Sequence, residues 1–274
     1  LASISKRPFA AYSMGRLERI FYPMVLWSYI FLSFKFVAGQ AANQPVGLED
    51  VLVLPVPGIL HFWFLWDLLL ISLAFYPLRY LIREGALSKG IWALVVLGIV
   101  VLQFLPLSEQ INYWIGSALR NMPYFLLGIM LGYFGVTRGA SVWHGVLGAL
   151  VFVALLYAWP EIAKSDYRMF GSLVLVGCFI FVCAGVEPLL PQAVRRWLAA
   201  LGVASMAIYV MHTIFSAVLR EVLQALNVVV PFVHLVGGTL VGIAGPLILL
   251  VVFRWLGVTR ALGLEGKARP NPPI

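Results

Sequence analysis

Residues 169–187 read Met169-Phe170-Gly171-Ser172-Leu173-Val174-Leu175-Val176-Gly177-Cys178-Phe179-Ile180-Phe181-Val182-Cys183-Ala184-Gly185-Val186-Glu187, with no charged side chain between Arg168 and Glu187. About 20 apolar residues in a helix cross a hydrocarbon layer about 30 Å thick. A helix apolar on every side belongs inside a large core or in lipid. Composition decides for lipid. Of 274 residues 62% are apolar and 11% charged, and mean hydropathy is +0.97. A soluble domain needs about a quarter charged residues to cover its surface. The same figures exclude a disordered chain, a coiled coil and a disulfide-stapled secreted module.

Working outward from that run, similar stretches recur at about 20–39, 60–82, 90–107, 116–136, 141–159, 197–219 and 229–256, giving eight candidate spans. The alternation that a membrane barrel requires does not recur. The expected fold class is therefore all-α: a polytopic transmembrane helix bundle of eight spans. Residues 1–256 form one transmembrane domain, and 257–274 a short, basic, disordered tail. The segment 116–136 is the weakest, since it carries Arg120, Asn121 and Pro123. The last run contains Pro231, Gly237-Gly238 and Pro246, which predict a tilt or a kink. Cys178 and Cys183 lie five apart on one helix, too far apart and on different sides for a disulfide.

The net charge of +8 invites a nucleic-acid reading until its distribution is seen. Lys6, Arg7, Arg16 and Arg19 precede the first span, whereas 40–59 carries Glu49 and Asp50 and no cation. Arg79, Arg83 and Lys89 come next, then Arg120 alone, Arg138, the pair Lys164 and Arg168, the pair Arg195 and Arg196, and Arg220. Arg254, Arg260, Lys267 and Arg269 close the chain. Alternate segments thus hold fourteen and four cations, with Lys35 left inside a span. Cytoplasmic loops collect Lys and Arg. Both ends of the chain are expected in the cytoplasm, and no nucleic-acid partner is implied.

A charge at the centre of a span costs about 2.5–3.5 kcal/mol on insertion scales, so each one needs a reason. Lys35 and Asp67 fall at similar depth on antiparallel spans, which favours an ion pair; the functional alternative is a polar lining for an outward-facing cavity. His61 opens the run His61-Phe62-Trp63-Phe64-Leu65-Trp66-Asp67 and suits an interfacial aromatic belt as well as a substrate contact. Ser205, Tyr209, His212 and Ser216 follow one another at spacings of 4, 3 and 4 and form one polar stripe that lipid would not tolerate. It serves either a hydrogen-bonded helix seam or a site. His144 and His234 read as interfacial. No His, Cys or carboxylate pair has metal-ligand spacing, and neither a phosphate loop nor a dinucleotide fingerprint is present.

The segment Met14-Gly15-Arg16-Leu17-Glu18-Arg19-Ile20-Phe21-Tyr22-Pro23, running into Trp27, resembles the acyltransferase-3 family of integral membrane acyltransferases, which modify bacterial cell-surface polysaccharides. His61-Phe62-Trp63-Phe64-Leu65 is similar to that family's His-x-Trp-Phe-Leu helix start. Pro123-Tyr124-Phe125-Leu126-Leu127-Gly128 is similar to its Phe-Leu-Leu-Gly segment, and Ser205-Met206-Ala207-Ile208-Tyr209-Val210-Met211-His212 to its Ser-x-x-Ile-Tyr-x-x-His. The four occur in the family's order over roughly the whole chain. Family members are described with ten helices, the first bearing an Arg…His motif whose histidine is the leading candidate base. Nothing here matches that motif, and the chain starts with Leu1, so the resemblance implies a member lacking its first two helices and, with them, the principal catalytic histidine; the activity is expected of the intact protein, and an inactive truncated chain is an allowed outcome.

The resemblance implies transfer of an acyl group, most simply acetyl, from acyl-CoA to a hydroxyl of an envelope polysaccharide or its lipid-linked precursor, in the bacterial inner membrane. Acyl-CoA is a donor substrate, and no bound cofactor is expected. Arg16 and Arg19, three apart on one helical face, suit the phosphates of CoA. His61, His212 and Tyr209 are the candidates for acceptor contact or charge stabilisation, with Lys35, Asp67 and Ser205 as intramembrane polar residues. Two rivals remain: a small-solute transporter or flippase, which should show an internal repeat that is not found here, and a non-catalytic remnant of the acyltransferase.

Overall fold

The computed structural model describes residues 8–39, 45–83, 89–165 and 167–265, which fold as helices and connecting turns with no strand among them. In chain order the helices are α1 (Phe9–Arg16), α2 (Tyr22–Ala38), α3 (Leu48–Leu52), α4 (Trp63–Ala74), α5 (Tyr76–Arg83), α6 (Lys89–Leu102), α7 (Glu109–Ile111), α8 (Ser117–Phe134), α9 (Val142–Ile162), α10 (Arg168–Val186), α11 (Gln192–Val203), α12 (Ser205–Ala225) and α13 (Pro231–Trp255). Lys6, Arg7, Lys267 and Arg269 of the charge count lie outside the described residues, as does the chain from 266 onward.

Every expected span contains a helix, but the helices are not equally suited to a bilayer. Among the described residues five are long and apolar enough to cross one: Phe9–Ala38, Val142–Ile162, Arg168–Leu189, Ser205–Ala225 and Pro231–Trp255. The pair Leu60–Ala74 and Tyr76–Ile82 makes a sixth if its two halves are one span. Its break falls at Phe75, two residues before Pro77, which has no amide proton to donate to the carbonyl four residues earlier and so interrupts the helical ladder there. Gly90–Leu102 is apolar but short. In α8, Arg120, Asn121 and Pro123 dilute an 18-residue helix.

Two boundaries differ from the sequence reading. The expected span 197–219 is interrupted at Ala204, whose ψ of −1° lies well off the helical value, so the spanning helix is α12, shifted toward the C-terminus. Residues 192–203 form a separate amphipathic helix, with Val194, Trp197 and Leu198 exposed at i, i+3 and i+4 and Arg195 beside them. Residues 257–265 of the expected free tail are instead packed against the protein. Tyr22 donates from its hydroxyl to the Ala261 carbonyl (2.5 Å), Trp27 Nε1 donates to the Leu262 carbonyl (2.9 Å), and Thr259 and Leu264 are buried. The turn that returns the chain onto α2 is closed by Gly257 at φ 71°, with the Gly257 amide on the Arg254 carbonyl and the Val258 amide on that of Phe253.

The described residues divide into two compact units. One holds 73–199. In it α9 and α10 pack closely because Gly145 and Gly148 meet Gly185 and the Cys178 carbonyl without side chains between them; a Cβ on Gly185 would lie 2.7 Å from the Gly145 Cα. Tyr124 Oη and Ser172 Oγ (2.5 Å) join α8 to α10, and Gln103 Nε2 donates to the Leu119 carbonyl (2.9 Å). His144 accepts from the Ser141 amide at 3.1 Å and so serves as a helix cap. Cys178 and Cys183 are free thiols. The other unit holds the described residues of 8–72 and 200–265 and contains α1–α3, most of α4, α12 and α13. Its apolar centre is built on Met24, Trp27, Phe62, Leu65, Val210 and Met211, all nearly inaccessible. Tyr12 ties α1 to α4 by donating to the Ser72 carbonyl at 2.9 Å.

Candidate functional site

The second unit carries the histidines that the sequence singles out. His61 stands in a single turn, Leu60–Phe62, which opens α4. Leu60 adopts φ 49°, an unusual backbone for a bulky residue, and Phe62 is fully buried, so the turn is pinned on both sides of His61. Phe31 of α2 meets the His61 ring edge-on, centroids 5.2 Å apart, and also contacts Phe62.

α12 brings the other partners. Tyr209 donates its hydroxyl proton to the backbone carbonyl of His61, 148 positions earlier in the chain. The His212 ring lies 5.6 Å from the His61 ring at 76°, and Thr213 Oγ1 lies 3.4 Å from His61 Nε2. His212 Nδ1 faces two acceptors, the carbonyls of Tyr209 (2.8 Å) and Ile208 (3.2 Å). A carbonyl can only accept, so Nδ1 carries a proton, and in the neutral ring Nε2 keeps its lone pair. Tyr209 is thus committed to holding His61, while His212 has one nitrogen left for chemistry.

Beside this cluster is a cavity of about 600 Å³, within the usual range for small-molecule sites. Its wall is mostly apolar, with Phe31, Phe34 and Leu60 on one side and α12 on the other, and its polar groups are His212, Thr213, Ser216, Lys35, Arg220, Glu221 and His234. Ser216 belongs partly to helix packing, since it donates to the Gly238 carbonyl of α13 at 3.0 Å. His234 Nε2 bonds the Val228 carbonyl (2.6 Å) and fixes the turn before α13.

His61, Tyr209 and His212 are therefore brought together, and Lys35 shares the cavity with His212. Ser205 does not join them; it is exposed at the start of α12. Among the described residues no salt bridge joins Lys35 to Asp67: Lys35 lines the cavity, while Asp67 is 2% exposed and engaged in the interior. The expected pair fails because equal depth on two spans does not set the direction in which each side chain leaves its helix. Arg16 and Arg19 are placed differently from the geometry assumed for them. Residues Leu17–Phe21 form a π turn, the Arg16 guanidinium stacks over the Tyr12 ring at 4.9 Å, and Arg19 is exposed. Sequence reasoning missed Thr213, although it follows Tyr209 by four residues on the same face, and it missed the ion pair of Arg220 with Glu221. Among the described residues no group of three His, Cys, Asp or Glu side chains is arranged to hold a metal.

Outside the spans, Glu265 accepts from Arg254 Nε (2.7 Å) and from Thr259 Oγ1 (3.0 Å). The hydrogen bond from Arg254 holds this carboxyl below the ordinary carboxylate range, with Thr259 and the nearby cations acting in the same direction.

Comparison with known proteins adds the family. Residues 2–251 match the family model described as an acyltransferase domain, of the acyltransferase-3 type. No curated protein and no solved structure matches the chain. With a match over most of its length and several helices long and apolar enough to cross a membrane, the chain belongs to the acyltransferase-3 family, and its general class is that of a multi-pass membrane acyltransferase.

Proposed function

We propose that the protein transfers an acyl group, most simply acetyl, from cytoplasmic acyl-CoA to a hydroxyl of an envelope polysaccharide or its lipid-linked precursor, in the inner membrane of a bacterium. The observation that carries this reading is the convergence of His61, Tyr209 and His212, from segments far apart in sequence, beside one cavity of ligand size. In this reading eight spans cross the bilayer, and both ends of the chain are cytoplasmic.

The acceptor hydroxyl enters the cavity and donates a hydrogen bond to His212 Nε2. As its oxygen bonds to the acyl carbon, the proton passes to Nε2 and the thioester C–S bond breaks. The sulfur leaves as a thiolate and takes that proton from the His212 imidazolium to give CoA, so that an ester and a thiol replace an alcohol and a thioester and His212 returns to its neutral form. Thr213, next along α12 and in contact with His61, lies where its hydroxyl can donate to the acyl oxygen as charge develops there. Tyr209 acts through His61 as a positioning residue. Arg16 and Arg19, on the cytoplasmic shoulder, receive the phosphates of the donor, Arg19 first because it is exposed.

The donor assignment is tested with a double variant, Arg16→Lys and Arg19→Lys, assayed for acyl-CoA turnover in membrane vesicles. Insertion should be unchanged, and the KM for acyl-CoA should rise about tenfold as bidentate phosphate contacts are lost. Unchanged kinetics would remove the two arginines from the mechanism.

A further inference from the structure

The cavity carries more charge than contact with a sugar hydroxyl requires. Three ionic side chains sit in its largely apolar wall: Lys35, Arg220 and Glu221. Two of them cancel. Arg220 donates through Nε (3.2 Å) and Nη2 (2.7 Å) to Glu221 Oε1. Lys35 is the remainder. It is half-buried near the end of α2 and forms no ion pair among the described residues. Among the described residues Glu221 is the only carboxylate in the lining, and its Oε1 is already engaged. Both histidines of the wall use a ring nitrogen on backbone carbonyls: His212 at Tyr209 and Ile208, His234 at Val228.

A cavity of this kind has a net positive charge held against apolar walls. An ammonium in such a place is costly when unpaired and strongly attractive to an anion, because the low-dielectric surroundings screen it less than water does. The donor's phosphates are not the natural partner. Lys35 follows Arg19 by 16 residues along one helical run, a separation of roughly 24 Å at the α-helical rise. An anion at Lys35 therefore belongs to a molecule other than one whose phosphates rest on Arg16 and Arg19.

We propose that the cavity is an anion-selective acceptor site, taking a glycoside that bears a phosphate or a carboxylate, with the anion on Lys35 and a hydroxyl directed to His212. The hydroxyl's fate rests on the acyl-transfer reading; the anion subsite stands on the charge of the cavity itself. A neutral glycan would leave Lys35 unpaired and bind more weakly.

The test is equilibrium binding by calorimetry, using the full chain in neutral detergent. The probes are a methyl glucuronoside and glucose 1-phosphate, against their neutral counterparts, the uronoside methyl ester and methyl glucoside. At least one anionic probe should bind about tenfold or more tightly than its counterpart, and the advantage should shrink as salt is raised. Lys35→Gln should abolish the advantage and Lys35→Arg should keep it, which separates loss of charge from loss of fold. The two anionic arms distinguish a uronic acid residue from a sugar phosphate as the source of the charge. Equal binding of charged and neutral forms, no binding of either anionic probe, or an advantage that survives Lys35→Gln would overturn the proposal. Anion binding in a protein that transfers no acyl group would uphold the subsite and refute the enzymatic reading. Acyl transfer indifferent to acceptor charge would do the reverse.

Discussion

At His212 the backbone decides the chemistry. With Nδ1 donating to the carbonyls of Tyr209 and Ile208, Nε2 is the ring nitrogen left over, and the proposed reaction uses it as the base. Replacing His212 with Gln keeps a polar group of similar reach but removes the base. The expected loss in kcat is about 10²–10⁴-fold, with a much smaller change in acceptor KM, as measured by acyl transfer at saturating donor. Tyr209→Phe should behave otherwise. It releases the His61 carbonyl without touching the base, so the rate should fall less while the pH profile keeps its shape. A pH profile that moved would place Tyr209 in the proton transfer itself. Glu265 gives a test outside the membrane. Its carboxyl is held below the ordinary value of 4.5 by Arg254, so the contact is intact at neutral pH and weakens only as pH falls through that lowered value. Hydrogen exchange over 257–265, corrected for intrinsic rate, should stay slow from pH 7 to about 5 and rise below the ordinary carboxylate range. Glu265→Gln should exchange faster already at pH 7, and protection identical to the parent would show that the contact does not hold the segment. Tyr209 and His212 were legible in sequence because their spacing puts them on one face, whereas the approach of His61, 148 positions from Tyr209 in the chain, was not. Thr213 was not, since a threonine in an apolar helix has no signature until its neighbour is known.

Among the elements, the α9–α10 pair offers the cleanest packing test. Gly185 and Gly145 touch backbone to backbone, so a larger side chain has no room to turn aside. Gly185→Leu should cost about 1–3 kcal/mol, read as a lower unfolding temperature in detergent, whereas Gly177→Ala, with nothing within 4 Å of the new methyl, should be neutral or slightly stabilising. Equal effects would mean that the helices do not approach as described. The sequence made the existence of these helices plain through their apolar runs, but not their breaks. Hydropathy passes smoothly across Gly202, Val203 and Ala204, so the division between α11 and α12 is invisible to it. The π turn at Leu17–Phe21 was equally hidden, because it changes one hydrogen-bonding step without changing composition. That one step separates Arg16, stacked on Tyr12, from Arg19, which is exposed. The docking of 257–265 onto Tyr22 and Trp27 was also beyond a reading that treats the end of the last span as the end of structure.

For the whole molecule, the lopsided distribution of cations predicts two ends on the same, cytoplasmic side, which requires an even number of crossings. The five helices that qualify outright would place the ends on opposite sides; adding the broken pair, or all eight spans, places them together. Single cysteines introduced as Ser13→Cys and as Val258→Cys, in a background with Cys178 and Cys183 replaced by Ser, should both react with an impermeant thiol reagent only from the cytoplasmic face. Labelling from opposite faces would refute the eight-span topology. The cavity could not be read from the sequence at this scale, because it arises where α2 and α12 come together, with His234 of α13 on its wall, and no single helix announces it. Acyl transfer itself is the central claim. The purified chain, reconstituted with radiolabelled acetyl-CoA and envelope glycan, should move label into an ester on the glycan, and His212→Gln should reduce that label by about 10²-fold or more. Label transferred at the same rate by the His212→Gln protein, or no transfer by the parent chain, would contradict the account.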